Sequence, residues 1–196
     1  PPSCRGPEPP QRAVIWGGSG PRQEGGRTAY PGRVSETETR ALAALDALGV
    51  AYAVTRHGRV GSLAEAAALR GVEPGDIVKT LVLRRGEGDF LFVLVPGDRE
   101  ISWPKLRAHL GVNRLSMPDA ATAREMTGYE RGTITPFGST SAWPVIADAT
   151  LTGRTVSMGA GAHGVAAMVE ADDVVRVLTA EVADVTEPTA SGAGRG

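Results

Sequence analysis

The chain is short of most residues and patterns by which a function is usually read. Its one cysteine, Cys4, lies in a Pro/Gly-rich terminus, so no disulfide closes within the chain and a cysteine nucleophile is not expected. That usage suits a cytoplasmic protein. The three histidines, His57, His109 and His163, stand about 50 residues apart, with no cysteine pair and no HExxH spacing that would gather a metal. A zinc deaminase needs such a pair and is excluded. There is no GxxxxGK[ST] phosphate cradle, no GxGxxG between a strand and a helix, and no GxSxG elbow. No run of 18 apolar residues offers a membrane helix, and the N-terminus lacks the apolar segment of a secretory signal.

An excess of one charge is also missing. The net charge of −1 gives no global field toward nucleic acid or an anionic membrane, so RNA contact would need a local basic patch. Neither a membrane nor DNA is expected as a partner. Lysine is scarce: Lys79 and Lys105 stand against 19 arginines, a bias read as GC-rich coding. Each lysine's placement is therefore informative.

What remains is an ordinary soluble composition, 41% apolar and 22% charged. Residues 1–33 hold seven prolines and seven glycines without an apolar period, and EPTASGAGRG (187–196) is similar; both read as disordered, leaving a domain over 34–186. SETETRALAALDALG predicts a helix with Ser35 and Glu38 as a capping box, a stripe of Ala41, Leu42, Leu45 and Leu48, and a stop at Gly49. SLAEAAALRG repeats the device with Ser62, Glu65 and Gly71. IVKTLVLR and DFLFVLVPG predict a hairpin across the four-residue loop RGEG. Two more helices follow, capped by Ser102 and Asp119 and stopped by Gly111 and Gly128. WPVIADATL, TVSMGA and GVAAMVE predict strands, ADDVVRVL a short helix and AEVADV a last strand. The fold class is mixed α/β (α+β): a single domain with a curved, mostly antiparallel mixed sheet, or a small barrel, flanked by helices.

Three features carry candidate chemistry. Lys79 shares a strand face with Ile77, Leu81 and Leu83, either as a lysine reaching water past an apolar stem or as a cation at a pocket rim. ERGTITPFG (130–138) is a stiff loop, with Gly132 allowing close backbone approach and Pro136 restricting Thr135. MGAGAHG (158–164) is a glycine-rich turn carrying His163, in solvent or over a site.

The ordered set VKTLV, PGDREI, TGYERGTITPFG and GAGAHGV resembles the YbaK/EbsC family, whose domain also occurs as the editing insertion of bacterial prolyl-tRNA synthetases. The resemblance covers about Val34 to Val185 and implies a metal-independent, cofactor-free deacylase in the cytoplasm. Such an enzyme hydrolyses the ester of a mischarged tRNA in trans. Aminoacyl-tRNA is then the substrate, of a tRNA(Pro) type, and a synthetase a candidate partner. The resemblance implies Lys79, Gly132 and Pro136 as catalytic residues. For substrate binding it implies Thr80, Thr133, Ile134, Thr135, Phe137, Gly138, Gly161, His163 and Gly164. An activated ester needs only an oriented water and a stabilised oxyanion, a water that the resemblance implies a ribose hydroxyl assists. SAWPV after GTITPFG departs from the lysine-rich continuation of cysteine-specific relatives, which argues against Cys-tRNA. The alternatives are a non-catalytic module binding a tRNA end, nucleotide or synthetase, and hydrolysis of a non-tRNA aminoacyl ester.

Overall fold

A computed structural model describes residues 34–189; the expected arm at 1–33 lies outside the described residues. The order is α1 (Glu36–Ala47), β1 (Tyr52–Arg56), α2 (Leu63–Arg70), β2 (Ile77–Gly86), β3 (Asp89–Pro96) and β4 (Arg99–Ile101). There follow α3 (Trp103–Leu110), α4 (Ala120–Thr127), β5 (Val145–Asp148), β6 (Thr155–Gly159), β7 (Val165–Glu170), α5 (Ala171–Val177), β8 (Glu181–Ala183) and β9 (Thr186–Pro188).

Seven strands form one mixed sheet in the order β1-β7-β6-β2-β3-β5-β8, while β4 and β9 pair separately. The longest ladders, β2/β3, β1/β7 and β6/β7, are antiparallel; β2/β6, β3/β5 and β5/β8 are short parallel ones. The sheet is open, with β1 and β8 as its edges, so of the two expected forms it is the flanked sheet and not the barrel.

Central position explains the unbroken run FLFVLV in β3, because a strand buried on both faces needs no polar alternation. Phe90, Phe92 and Leu94 join Val78 and Val82 in the main core, which α1, α5 and Phe137 cover. Leu91, Val93 and Val95 face the other way, with Leu83 and the Leu106 side of α3. Ile77 packs under Ala66 and Ala67 of α2. The face that carries Lys79 is therefore a buried face, as alternation predicts.

Local expectations shift where a competing partner is stronger. Ser35 accepts the Glu38 N–H at 3.1 Å, but Glu38 does not complete the box: its buried carboxylate takes Arg56 instead. Leu48 leaves the helical stripe and is exposed. Glu65 reaches past Ser62 to the Gly61 N–H at 2.7 Å. Ser102 occupies its cap position without a side-chain bond. The hairpin connection is the two-residue Glu87–Gly88 turn, not four residues, because a bulge between Arg84 and Gly86 extends the pairing to Gly86↔Asp89. The expected tail also begins later. Thr186–Pro188 form β9 against β4, and the Thr189 N–H donates to the Asp98 carbonyl at 3.1 Å.

Candidate functional site

β2 and β6 run parallel but pair over only Ile77↔Ser157 and Val78↔Met158. Lys79 and Gly159 are the next residues of each strand, and continuing this register sets them side by side on one face. Beyond this point β2 pairs only with β3, and β6 ends. Into the fork comes the backbone of the 132–138 loop: a Cβ on Gly159 would stand 3.6 Å from the Ile134 carbonyl oxygen and 3.8 Å from that of Thr133.

The loop is held by what lies beneath it. Tyr129, fully buried, donates its hydroxyl to the Phe137 carbonyl at 2.7 Å and so closes the loop at both ends. Burial raises the Tyr129 phenol above its usual range, opposed by the Arg40 guanidinium 4.5 Å from its ring. Arg40 in turn donates to the Gly128 carbonyl at 3.0 Å, tying the loop to α1. Gly138, at φ +66°, lies so close to α1 that a Cβ would come within 2.6 Å of the Arg40 carbonyl. Inside this clamp the Thr133 N–H donates to Glu130 and the Phe137 N–H to the Thr135 hydroxyl. The Ile134 and Thr135 N–H groups have no acceptor among the described residues, which leaves two adjacent donors in a loop stiffened by Pro136.

The turn after β6 sits on the same supports. A side chain on Gly161, at φ +81°, would run into the Thr37 carbonyl and the Tyr129 ring; one on Gly164 would meet the His57 carbonyl. The His57 N–H donates to the Gly164 carbonyl at 2.8 Å. The turn carries His163 over the loop: its Cε1 is 3.7 Å from where a Gly132 Cβ would be, and its Nε2 is 3.5 Å from Glu130 Oε2.

Lys79 is half-buried, and its ammonium donates to the carbonyls of Gly97, at 3.0 Å, and Arg99. Desolvation lowers its pKa, while Asp98 and Glu100 pull the other way. Thr80, next along, faces the main-core side, where its Oγ1 is buried without a partner among the described residues. The fold thus brings together Gly132, the Thr133–Ile134 backbone, Gly159 and His163. Lys79 shares their end of the sheet but is held by the β3–β4 turn.

Sequence reasoning missed a second cation on this face. Arg70 at the end of α2 donates to His57 Nε2 at 3.0 Å and to Ser157 Oγ at 3.4 Å. His57 Nδ1 lies 2.7 Å from the Gly58 carbonyl, so the arrangement puts the imidazole proton on Nδ1. Burial lowers the Arg70 pKa. Ser157 stands opposite Ile77, two residues before Lys79. Nothing in the sequence around Arg70 marks it, because only folding brings α2 onto β6. Among the described residues no three His, Cys, Asp or Glu side chains gather in a metal-binding group.

The model of the aminoacyl-tRNA editing domain matches residues 57–177, a span that runs from His57 through the fork to α5. The chain belongs to that family. The likeness read from VKTLV, GTITPFG and GAGAHG is thereby borne out. Among curated relatives, the proline–tRNA ligase of Trichlorobacter lovleyi is 36% identical over 87 residues, 44% of this chain and 15% of the ligase. That of Thermosipho africanus is 43% identical over 63 residues, 32% of this chain and 11% of the ligase. The chain thus corresponds to a small part of these enzymes. The editing-domain fold is shared with a solved structure assigned as a candidate trans-editing enzyme for prolyl tRNA synthetase. That structure has a TM-score of 0.72 and 26% identity, over 79% of this chain and 99% of the other. The crystal structure of a hypothetical protein has a TM-score of 0.69 and 27% identity, over 76% and 99%.

Proposed function

We propose that this editing domain hydrolyses the ester of a mischarged tRNA in trans, in the cytoplasm, with a tRNA(Pro)-type aminoacyl-tRNA as substrate. The observation that supports it most is the fork between β2 and β6, where free amides of a clamped loop lie beneath His163, at the end of the sheet that also carries Lys79 and Arg70. Water adds to the ester carbonyl, the bond to the ribose oxygen breaks, the ribose oxygen takes a proton, and the amino acid leaves as a carboxylate. The Ile134 and Thr135 N–H groups are the donors suited to the tetrahedral oxyanion, since neither is committed to another acceptor among the described residues. Lys79 supplies positive charge beside the reacting end, and Gly132 and Pro136 set the loop's path. Thr80, whose hydroxyl has no partner among the described residues, and Thr133, Phe137, Gly138, Gly161, His163 and Gly164 shape the aminoacyl pocket.

The test is deacylation of a panel of mischarged tRNAs, Ala-tRNA(Pro) and Cys-tRNA(Pro) included, by wild type and Lys79→Ala. Ester cleavage by the wild type that the variant loses is expected. Saturable binding of charged tRNA with an unchanged ester lifetime would establish a binding module instead.

A further inference from the structure

At the far end of β2 lies an open groove of about 740 Å³, which the fork does not use. Three separate parts of the chain line it: the bulged end of β2 with Arg84 and Arg85, the last turn of α3 with Arg107, and the α3–α4 connection with Asn113 and Arg114. The connection is fixed to the strand by two backbone hydrogen bonds, Arg84 N–H to Ser116 at 2.8 Å and Ser116 N–H to Arg84 at 3.1 Å. Four guanidiniums therefore face one carboxylate, Glu87, in a chain whose net charge is −1. Arg85 is engaged by Asp89 at 2.8 Å. Arg84, Arg107 and Arg114 are in no ion pair among the described residues. Arg84's charge is felt by Asp119, whose carboxyl is held below its usual range first by Thr122 hydrogen bonds.

We infer that this groove is a second binding surface, taking the phosphate backbone of the RNA whose aminoacyl end enters the fork. Guanidiniums suit it because their planar donor pairs match phosphate oxygens. Its position suits it as well. Arg84 and Arg85 are five and six residues beyond Lys79 on one strand, about 17–20 Å at ~3.3 Å per residue, with Arg85 on the Lys79 face and Arg84 on the Phe90 face. At about 3.4 Å per base step this is the length of several stacked pairs. A stem whose end reaches Lys79 thus has backbone at the distance of the arginines. The inference rests on the deacylase reading only for the identity of the RNA.

The experiment is fluorescence anisotropy with an uncharged tRNA acceptor-stem hairpin across a salt series, so that binding is read without catalysis. Arg84→Glu/Arg114→Glu is compared with the milder Arg84→Gln/Arg114→Gln, and with Arg176→Glu on α5, a control whose change in charge equals that of the Gln pair. Melting curves check each fold. The Glu pair is expected to bind about tenfold or more weakly and the Gln pair less so. The slope of log K against log salt flattens by about one for each phosphate no longer neutralised, and the control stays within about twofold of wild type. Unchanged binding by both pairs, an equal weakening in the control, or competition by polyglutamate as strong as by RNA would overturn the inference. Should the protein cleave no ester, the deacylase reading fails while the binding result still decides the groove. Should it cleave esters with KM unmoved in both pairs, the groove fails and the deacylase reading stands.

Discussion

Lys79 shows how one side chain can be set by forces of different kind. Its stem shares a buried face with Leu81 and Leu83, and its ammonium is anchored on two backbone carbonyls of the next turn. A cation so fixed is preorganised, which favours electrostatic stabilisation of developing charge. Lys79→Ala is expected to lower kcat/KM for a mischarged tRNA by about 10²- to 10³-fold, and Lys79→Arg to recover only part, because a planar guanidinium does not fit two carbonyls arranged around an ammonium. A pH profile adds a second reading. Desolvation places the folded-state pKa below the ordinary 10.5, so background-corrected activity falls as pH rises through a midpoint lower than that value. The sign for stability is opposite. Between the two pKa values the unfolded chain holds more protons, so this group's contribution to stability rises with pH there. At the glycines the forces are steric. Gly161→Ala meets both a positive φ and the Thr37 carbonyl, and is expected to cost about 1–3 kcal/mol in urea unfolding.

Among the elements, β5 joins distant parts of the chain, pairing with β3 on one side and β8 on the other. Its last residue, Asp148, is 1% exposed and accepts the Thr150 N–H at 3.0 Å and, across the chain, the Val185 N–H at 3.2 Å. Burial alone would raise its pKa, but hydrogen bonds from Thr150, Thr186 and Val185 bring it below 3.8. A depressed carboxylate contributes stability that is present above 3.8 and fades as pH falls through the folded-state value. Asp148→Asn is therefore expected to be less stable by about 1–3 kcal/mol at neutral pH in thermal unfolding, and to converge with wild type in acid. The capping residues follow a similar logic. Ser35, Ser62 and Asp119 each accept an N–H of their own helix, a bond made within four residues and so legible in the sequence. The reciprocal Glu38 bond was not legible, since Arg56 lies 18 residues away and wins by charge.

On the scale of the whole molecule, the C-terminal strand is what sequence composition hid. EPTASGAGRG reads as a tail, yet β9 pairs Thr186 with Ile101 and Pro188 with Arg99, bracing the turn whose carbonyls receive Lys79. A chain ending at Val185 is expected to melt at least about 4 °C lower, since 1 kcal/mol corresponds to about 2–4 °C at this size, and to lose editing activity beyond what the Tm explains. Full activity in that truncated chain would separate the brace from the site.

The sequence by itself determined the helices, the long strands, the two glycine loops and Lys79's place on a buried strand face. Each depends on periodicity, caps or backbone freedom within a few residues. Only the tertiary structure decided the fork between β2 and β6, where residues 132–134, 159 and 163 gather at the end of the sheet that carries Lys79, the Arg70–His57–Ser157 cluster and the arginine groove. Parallel pairing and helix docking join segments tens of residues apart, and no local pattern records which partner a distant side chain will meet.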